Sequence, residues 1–206
     1  MTAETPVNPW VPTDTRTTPD SSRLQTVAPV RPSGPAQPQG PGVPPPPTAL
    51  NIAYVHPAPS GAWWWLGCHG GSAVSTLEYA VPGGRDAHRA WPVVQGGGPV
   101  PVVLTARTHA IGLQAAQRAI QQWASGAVPG VTLLGLVLVA DAPGRLPKAL
   151  RDLRRLVSGG APRTWDVPWV EEWRCGEPPT DHSPRQLTVL SRELQSLASP
   201  SGSRHV

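Results

Sequence analysis

The stretch that decides the fold is AWWWLGCHGGSAVST, residues 62–76. Its first part, residues 62–67, is apolar and rich in tryptophan, which is typical of a strand buried inside a sheet. A glycine-rich turn follows, and residues 75–80 have the character of a helix start. The predicted order is strand, turn and helix, in which backbone N–H groups can surround a phosphate.

A working phosphate-binding loop also needs a lysine that reaches the β- and γ-phosphates, and a hydroxyl that binds Mg²⁺. Gly70-Gly71 can supply backbone N–H groups and Ser75-Thr76 the hydroxyls. The lysine is missing, because Val74 stands at its position and Lys148 is the one lysine of the chain. The pattern therefore favours a nucleotide site that has lost its chemistry.

These residues resemble the deviant Walker motif of the ParA/MinD family of P-loop ATPases, K-G-G-x-G-K-[ST]-T. On that pattern, His69 stands at the first lysine, followed by the first two glycines at Gly70 and Gly71. Ser72 takes the variable position, and Ala73 the position of the third glycine. Val74 stands at the P-loop lysine, and Ser75 and Thr76 are the hydroxyl pair. The resemblance implies a cofactor-binding loop, but two positive charges are lost and a Cβ stands where a phosphate would approach. We therefore expect no cofactor and at most weak nucleotide binding.

The resemblance covers residues 61–175. Residues 101–106 and the helical pattern after them are similar to a later strand and helix of that family, and residues 131–170 to its last two strands and the helix between them. About 115 residues are too few for a whole ParA/MinD protein, so a reduced version is implied. Residues 140–147 and 167–174 also resemble an uncharacterised actinobacterial family of such degenerate proteins found in mobile elements.

Strands and helices alternate through this part of the chain, which favours an α/β fold with a reduced doubly wound parallel sheet of about four to five strands. The predicted strands cover residues 62–67, 101–106, 131–140 and 164–170. A Gly/Pro-rich excursion, residues 81–99, takes the place of further elements. The second helix repeats apolar residues at helical spacing, at Ile111, Ala115, Ala119, Ile120 and Trp123.

The predicted organisation has three parts. Residues 1–60 contain fifteen of the 28 prolines and are predicted to be a disordered arm that folding does not need. Residues 61–175 form the degenerate P-loop-like domain. Residues 176–206 are a linker and an amphipathic C-terminal helix, begun by Ser183-Pro184, whose leucine stripe (Leu187, Leu190, Leu194 and Leu197) should dock on its own domain or on a partner helix.

Ligands of such sheets bind beyond the carboxyl ends of the strands, so the residues that follow each strand are candidates. They are His69, Ser75, Thr76, Arg107, Thr108, His109, Asp141, Arg145, Glu171 and Arg174. Arg107 and Asp141 are the added candidates for cofactor binding. A metal role for Asp141 requires its strand to lie next to the first strand; otherwise it is a turn residue, and Thr108 is a helix N-cap.

No spacing typical of a metal site and no pairing of nucleophile with base stands out, so we lean towards a protein that is not an enzyme. Glu171 and Glu172 would point to opposite faces if they lay on a strand. Cys68 and Cys175 are either structural thiols or a pair that the fold brings together.

The net charge is +4 and the pI is about 9.8. A basic helix face at Lys148, Arg151, Arg154 and Arg155 is either solvated or a contact to nucleic acid. No apolar run reaches the 18 or more residues of a membrane span and no secretory signal begins the chain, which predicts a cytoplasmic protein.

Together these features predict a non-catalytic accessory or interaction protein, which the resemblance connects with conjugative DNA transfer or partition machinery. A protein partner is expected through the C-terminal helix, and the sequence leaves open whether the chain forms an oligomer. The alternatives are an active ATPase whose lysine or arginine comes from a second subunit, and a small DNA-binding adaptor.

Overall fold

A computed structural model of the chain describes residues 30–56, 62–179 and 184–199. The described strands are β1 (Asn51–Tyr54), β2 (Trp63–Gly67), β3 (Gly84–Asp86), β4 (Ala90–Val93), β5 (Val100–Arg107), β6 (Val131–Val139) and β7 (Thr164–Val167). The described helices are α1 (Val74–Ala80), α2 (Ala110–Ala124), α3 (Lys148–Gly160), α4 (Glu171–Arg174) and α5 (Arg185–Ala198). Among these helices, none combines the length and the apolar character needed to cross a membrane.

The main sheet has five parallel strands in the order β3-β2-β5-β6-β7. From β2 the chain moves outward to β3, and it then returns to the other side of β2 to form β5. The predicted α/β fold with a doubly wound parallel sheet is confirmed. The order reverses between β2 and β5, and in sheets of this kind ligands bind in the crevice beyond such a reversal.

The three tryptophans of β2 fill both sides of the sheet, because successive side chains of a strand point to opposite faces. Trp64 belongs to the core on the side of α2 and α3. Trp63 and Trp65 belong to the core on the side of α1 and α5, where their rings pack edge to face at 5.8 Å. The prediction that this run fills a core is confirmed.

Helix α2 follows its predicted pattern except at its first apolar position. Ala115, Ala119, Ile120 and Trp123 are buried against the sheet, whereas Ile111 is 68% exposed. Ile111 lies in the first turn of α2, where Gly112 and Leu113 are the buried residues. It is part of the predicted helix but not of its buried face.

Helix α5 uses its leucine stripe inside the chain. Leu187, Leu190 and Leu194 are buried in the same core as Trp165 and Val167 of β7, and Leu197 packs against it. The stripe therefore docks on its own domain, which is one of the two alternatives that the sequence left, and a protein partner through this helix stays a prediction. Ser183, predicted to begin the helix, lies outside the described residues.

Residues 30–56, here called the strap, pack along the domain. The Val30 N–H donates to Glu193 Oε1 of α5 at 2.8 Å, and the Ser33 N–H donates to the Pro162 carbonyl at 2.9 Å. The Gln39 N–H donates to the carbonyl of Ala124, at the end of α2, where helix carbonyls lack partners of their own. The predicted disordered arm is thus wrong for these residues, and the prediction for residues 1–29 lies outside the described residues.

Gln122 of α2 holds the end of the strap through a buried amide that makes three hydrogen bonds. Its Oε1 accepts the Leu50 N–H and the Trp91 indole N–H, both at 2.9 Å, and its Nε2 donates to the Leu50 carbonyl at 2.9 Å. Directly after this anchor, β1 pairs in parallel with β4 to form a separate two-stranded sheet.

Two other expectations are corrected. Residues 81–99 contain β3, which forms an edge of the main sheet, and β4, so they are not an excursion without elements. Glu171 and Glu172 open the short helix α4 and do not lie on a strand, because β7 ends at Val167.

Candidate functional site

The loop between β2 and α1 turns tightly at the reversal point of the sheet. Gly71 and Ala73 have φ angles of 74° and 70°, in the left-handed region, and α1 begins directly after Ala73. A left-handed alanine is uncommon, and such strain is often found in ligand-binding loops. The predicted succession of strand, turn and helix is present.

His69 fastens this loop to β5. Its Nε2 accepts the backbone N–H of Arg107 at 3.0 Å, so Nδ1 carries the proton and donates to the Gly70 carbonyl at 2.7 Å. Burial lowers the pKa of His69, and the charges of Arg107 and Arg89 lower it further. The ring is therefore neutral with both nitrogens engaged, and it supplies neither a positive charge nor a free donor to a ligand.

Arg107 joins the loops that follow three strands. Its Nη1 donates to the carbonyl of Ala140 after β6 at 2.9 Å, and its Nε lies 3.4 Å from the carbonyl of Gly71 after β2. Burial lowers the pKa of the guanidinium, Asp141 opposes this effect and Arg174 adds to it. The side chain thus stays charged but is committed to two carbonyls.

A crevice of about 340 Å³ lies over this loop, and we call it the loop crevice. It is lined by residues 69–76 together with Asp86, Arg89 and Arg107. Asp86 is engaged, since its Oδ1 accepts the His88 N–H at 2.7 Å. His88 and Arg89 have φ angles of 50° and 59°, so a second strained turn stands at the same crevice.

The hydroxyls of the loop differ in access. Ser75 is exposed and Thr76 half-buried, and both line the loop crevice as predicted. Ser72 is buried, and its Oγ accepts the Thr105 hydroxyl at 3.3 Å. Gly67 makes room for this contact, because a Cβ there would approach Ser72 Oγ to 2.5 Å. The Ser72 side chain therefore braces the loop from inside.

Asp141 does not meet the condition set for a metal role, because β5 lies between its strand, β6, and β2. It is exposed, near Arg107, and its N–H donates to Thr108 Oγ1 at 3.1 Å. Thr108 is not the N-cap of α2. That position is taken by His109, whose Nδ1 accepts the Gly112 N–H at 2.9 Å.

A second and larger crevice of about 600 Å³ opens over the carboxyl ends of β6 and β7, and we call it the arginine crevice. Arg145, Arg151 and Arg154 line it together with Asp166. The candidate residues after the strands do not converge on one crevice. The loop crevice is lined by His69, Ser75, Thr76 and Arg107, and the arginine crevice by Thr108 and Arg145. Neither crevice is lined by the other four candidates, His109, Asp141, Glu171 and Arg174.

Much of the predicted basic face of α3 is engaged within the chain. Arg154 makes a two-point contact with Asp166, with Nε 3.1 Å from Oδ1, and Lys148 pairs with Asp152 at 3.0 Å. Arg151 donates to the Leu146 carbonyl at 2.9 Å, while Arg155 is exposed. These contacts reduce the charge that α3 presents to a nucleic acid.

Two thiols and a glutamate are further candidates for chemistry in the described part of the chain. Burial raises the pKa of the Cys68 thiol to about 12, and Cys68 and Cys175 are both free. Glu171, another candidate, is exposed and accepts the Trp169 indole N–H at 2.7 Å. Within residues 30–56, 62–179 and 184–199, no three His, Cys, Asp or Glu side chains are grouped to hold a metal ion.

Sequence reasoning missed Asp86, Arg89 and Gln122. The first two reach the loop crevice because β3 pairs with β2. The sequence does not predict this pairing, because a three-residue strand in a Gly/Pro-rich segment has no recognisable strand pattern. Gln122 stands in a helix without a local sign of its buried partners. The position of each of these three residues depends on contacts with residues far away in the sequence, so no local pattern indicates it.

Comparison with known proteins gives one match. A model described as a family of unknown function, DUF6668, matches residues 61–190. This range includes the main sheet and the lining of both crevices, and it stops at Leu190 within α5. No curated protein matches the chain, and no solved structure matches it.

Proposed function

The chain belongs to the family of unknown function DUF6668, and we propose that this member is a non-catalytic accessory protein that acts by binding. In this proposal its domain is a degenerate ParA/MinD-like nucleotide-binding fold whose loop keeps the conformation of a phosphate-binding loop but lacks the lysines that bind the phosphates. Following the resemblance of the loop, we assign it to the cytoplasmic side of conjugative DNA-transfer or partition machinery.

The observation that carries the proposal is the state of the cations around the loop crevice. His69 is held neutral by two hydrogen bonds, and Val74 offers an aliphatic side chain that packs into the core. Arg107 is tied to two carbonyls. Phosphoryl transfer depends on positive groups aimed at the charge that develops on the γ-phosphate, and neither position that the motif gives to a lysine is charged here.

The position of the carboxylates supports the same conclusion. P-loop enzymes hold Mg²⁺ with a loop hydroxyl and an aspartate from another strand. Of the two strands next to β2, β5 ends in Arg107 and β3 ends in Asp86, while Asp141 follows the strand beyond β5. Asp86 lines the crevice, but its Oδ1 accepts the His88 N–H and its Oδ2 lies 3.5 Å from His88 Nδ1. The carboxylate nearest the loop is thus held within its own turn, which reduces its availability to Mg²⁺.

The proposal is tested by measuring phosphate release from ATP with Mg²⁺ by the full chain. We expect no turnover above background for the wild type, and the same for a Ser75→Ala variant, because the loop contributes no transition-state stabilisation. A turnover of about one per minute or more that disappears in Ser75→Ala would overturn it.

The same assay separates the rival ATPase with a cation supplied in trans. In that case the activity per molecule rises with protein concentration, because the second subunit completes the site. A rate that stays at background from low to high micromolar concentration supports the non-catalytic function.

A further inference from the structure

The arginine crevice is a second concave site beyond the carboxyl edge of the sheet, separate from the loop crevice. It lies between the segment after β6, the start of α3, the end of β7 and the start of α5. Its volume of about 600 Å³ falls within the range of small-molecule sites in proteins. Strap residues do not line it, so the site belongs to the domain itself.

The charge of the lining is unbalanced. Three guanidinium groups face one carboxylate, Asp166, and that carboxylate is used by Arg154. Arg151 gives one N–H to the Leu146 carbonyl, which leaves its other donors open, and Arg145 makes no hydrogen bond within the described residues. Two arginines with free donors therefore border a hollow, and a planar fork of this type binds carboxylate, sulfonate and phosphate groups.

The remainder of the lining is apolar. Leu138 and Val167 are buried at the base, and Leu146 and Pro168 are half-buried at the sides. An inorganic anion would meet the arginines but leave the accessible parts of Leu146 and Pro168 in contact with water. A molecule with an acidic group and an apolar body satisfies both parts of the lining.

We propose that the arginine crevice binds a small organic anion, with its acidic group against Arg145 and Arg151 and its apolar body against Leu146 and Pro168. This site is independent of the loop crevice and needs neither Mg²⁺ nor a nucleoside. A polyanion such as duplex DNA is disfavoured, because the guanidiniums line a hollow and Arg154 is neutralised by Asp166.

The test uses 1-anilinonaphthalene-8-sulfonate, a fluorescent aromatic sulfonate, titrated into the full chain. We expect saturable binding of one molecule per chain. The variant Arg145→Gln with Arg151→Gln should raise the Kd at least about tenfold, since charge-assisted hydrogen bonds are lost. The matched control Arg155→Gln removes an exposed arginine of α3 that does not line the crevice, and it should change the Kd less than about twofold.

Two further arms isolate the parts of the site. N-phenyl-1-naphthylamine has a similar apolar body without the sulfonate, so its weaker binding should be unchanged by the double variant. Phenyl phosphate should displace the sulfonate at concentrations at which inorganic phosphate does not. The single variant Arg145→Gln, with its thermal midpoint measured in parallel, provides the comparison if the double variant is unstable.

Several results would overturn the proposal. They are an unchanged Kd in the arginine variants, an equal loss in Arg155→Gln, and equal displacement by phenyl phosphate and inorganic phosphate. An unchanged Kd in the arginine variants would mean that the probe binds elsewhere. An equal loss in Arg155→Gln would mean that the effect comes from net charge and not from this crevice. Equal displacement would mean that the apolar lining does not contribute to binding.

Discussion

At the scale of residues, the loop crevice depends on His69, which the motif places at a lysine position. In the structure this ring links the loop to the backbone of β5 and is neutral, because Nε2 accepts the Arg107 N–H. A side chain at a ligand-binding position has therefore become a structural contact. The loop keeps its shape, while the charge that would hold a phosphate is absent.

The neutral state of His69 predicts how stability depends on pH. The pKa of His69 is lowered in the folded chain, so below the ordinary histidine pKa of about 6.5 the unfolded chain binds more protons. Lowering the pH from 7.5 to 5.5 should therefore decrease the free energy of unfolding, as measured by denaturant titration. The decrease should be smaller in His69→Gln.

The control for this prediction is His56→Gln, since His56 is exposed on the strap. It should retain the pH dependence of the wild type. If His69→Gln retains the full dependence instead, the protonation of His69 is not coupled to folding in the way described.

The role of His69 shows what a local pattern can reveal about a site. The spacing of the glycines and hydroxyls was enough to place Gly70, Gly71, Ser75 and Thr76 at one crevice. The spacing could not show that the His69 imidazole is hydrogen-bonded to the backbone, since its partner lies 38 residues away at Arg107. Ser72 is similar, because its contact with Thr105 exists only after β2 and β5 pair.

At the scale of elements, the strap changes where the folded domain begins. Gln122 holds its last part with two hydrogen bonds to the Leu50 backbone and is itself bonded by the Trp91 indole N–H. A proline-rich segment has few local partners, so its order depends on such contacts with α2 and α5. The strap should therefore be needed for stability.

Replacing Gln122 with leucine should lower the free energy of unfolding by about 2–4 kcal/mol, because the backbone of Leu50 and the Trp91 indole lose their buried partner. Denaturant unfolding measures this loss. The matched control is Gln121→Leu, whose amide makes an exposed bond to the Pro44 carbonyl, and it should cost less than about 1 kcal/mol. Equal effects of the two variants would show that the strap is not held at Gln122.

The leucine stripe of α5 gives a second prediction at this scale. Leu190→Asp with Leu194→Asp should lower the free energy of unfolding by more than about 3 kcal/mol, because two buried side chains are replaced by carboxylates in an apolar core. Thr188→Asp, on the exposed side of the same helix, should change it by less than about 1 kcal/mol. A double variant with wild-type stability and a smaller mass by light scattering would mean that the stripe binds a second chain.

The elements differ in how far the sequence could predict them. β2, β5 and β6 are continuous apolar runs, and their burial on both faces follows from composition. β1, β3 and β4 have three or four residues in segments rich in proline and glycine, and they exist through pairing with distant strands. Ile111 is exposed while Gly112 and Leu113 beside it are buried, so spacing alone did not identify the buried face of the first turn.

At the scale of the whole molecule, positive charge is distributed unevenly along the carboxyl edge of the sheet. Over β2 and β5 the arginine nearest the loop, Arg107, serves to join three loops. Over β6 and β7, Arg145 and Arg151 keep donors that face a hollow. The molecule therefore has a nucleotide-like crevice whose two motif lysine positions are uncharged and whose Arg107 is tied to two carbonyls, with the exposed Arg89 in its lining. Beside it stands a cationic crevice that is unrelated to the Walker-like loop.

The most direct measurement of the central claim is calorimetric titration of ATP with Mg²⁺ into the wild type and into the Arg145→Gln/Arg151→Gln variant, which removes the contribution of the arginine crevice. The account predicts that the variant shows no saturable binding tighter than about 1 mM, because both motif lysine positions are uncharged and the exposed Arg89 alone does not replace a lysine that reaches the β- and γ-phosphates. Micromolar binding in the variant that requires Mg²⁺ and is lost on Ser75→Ala would contradict it.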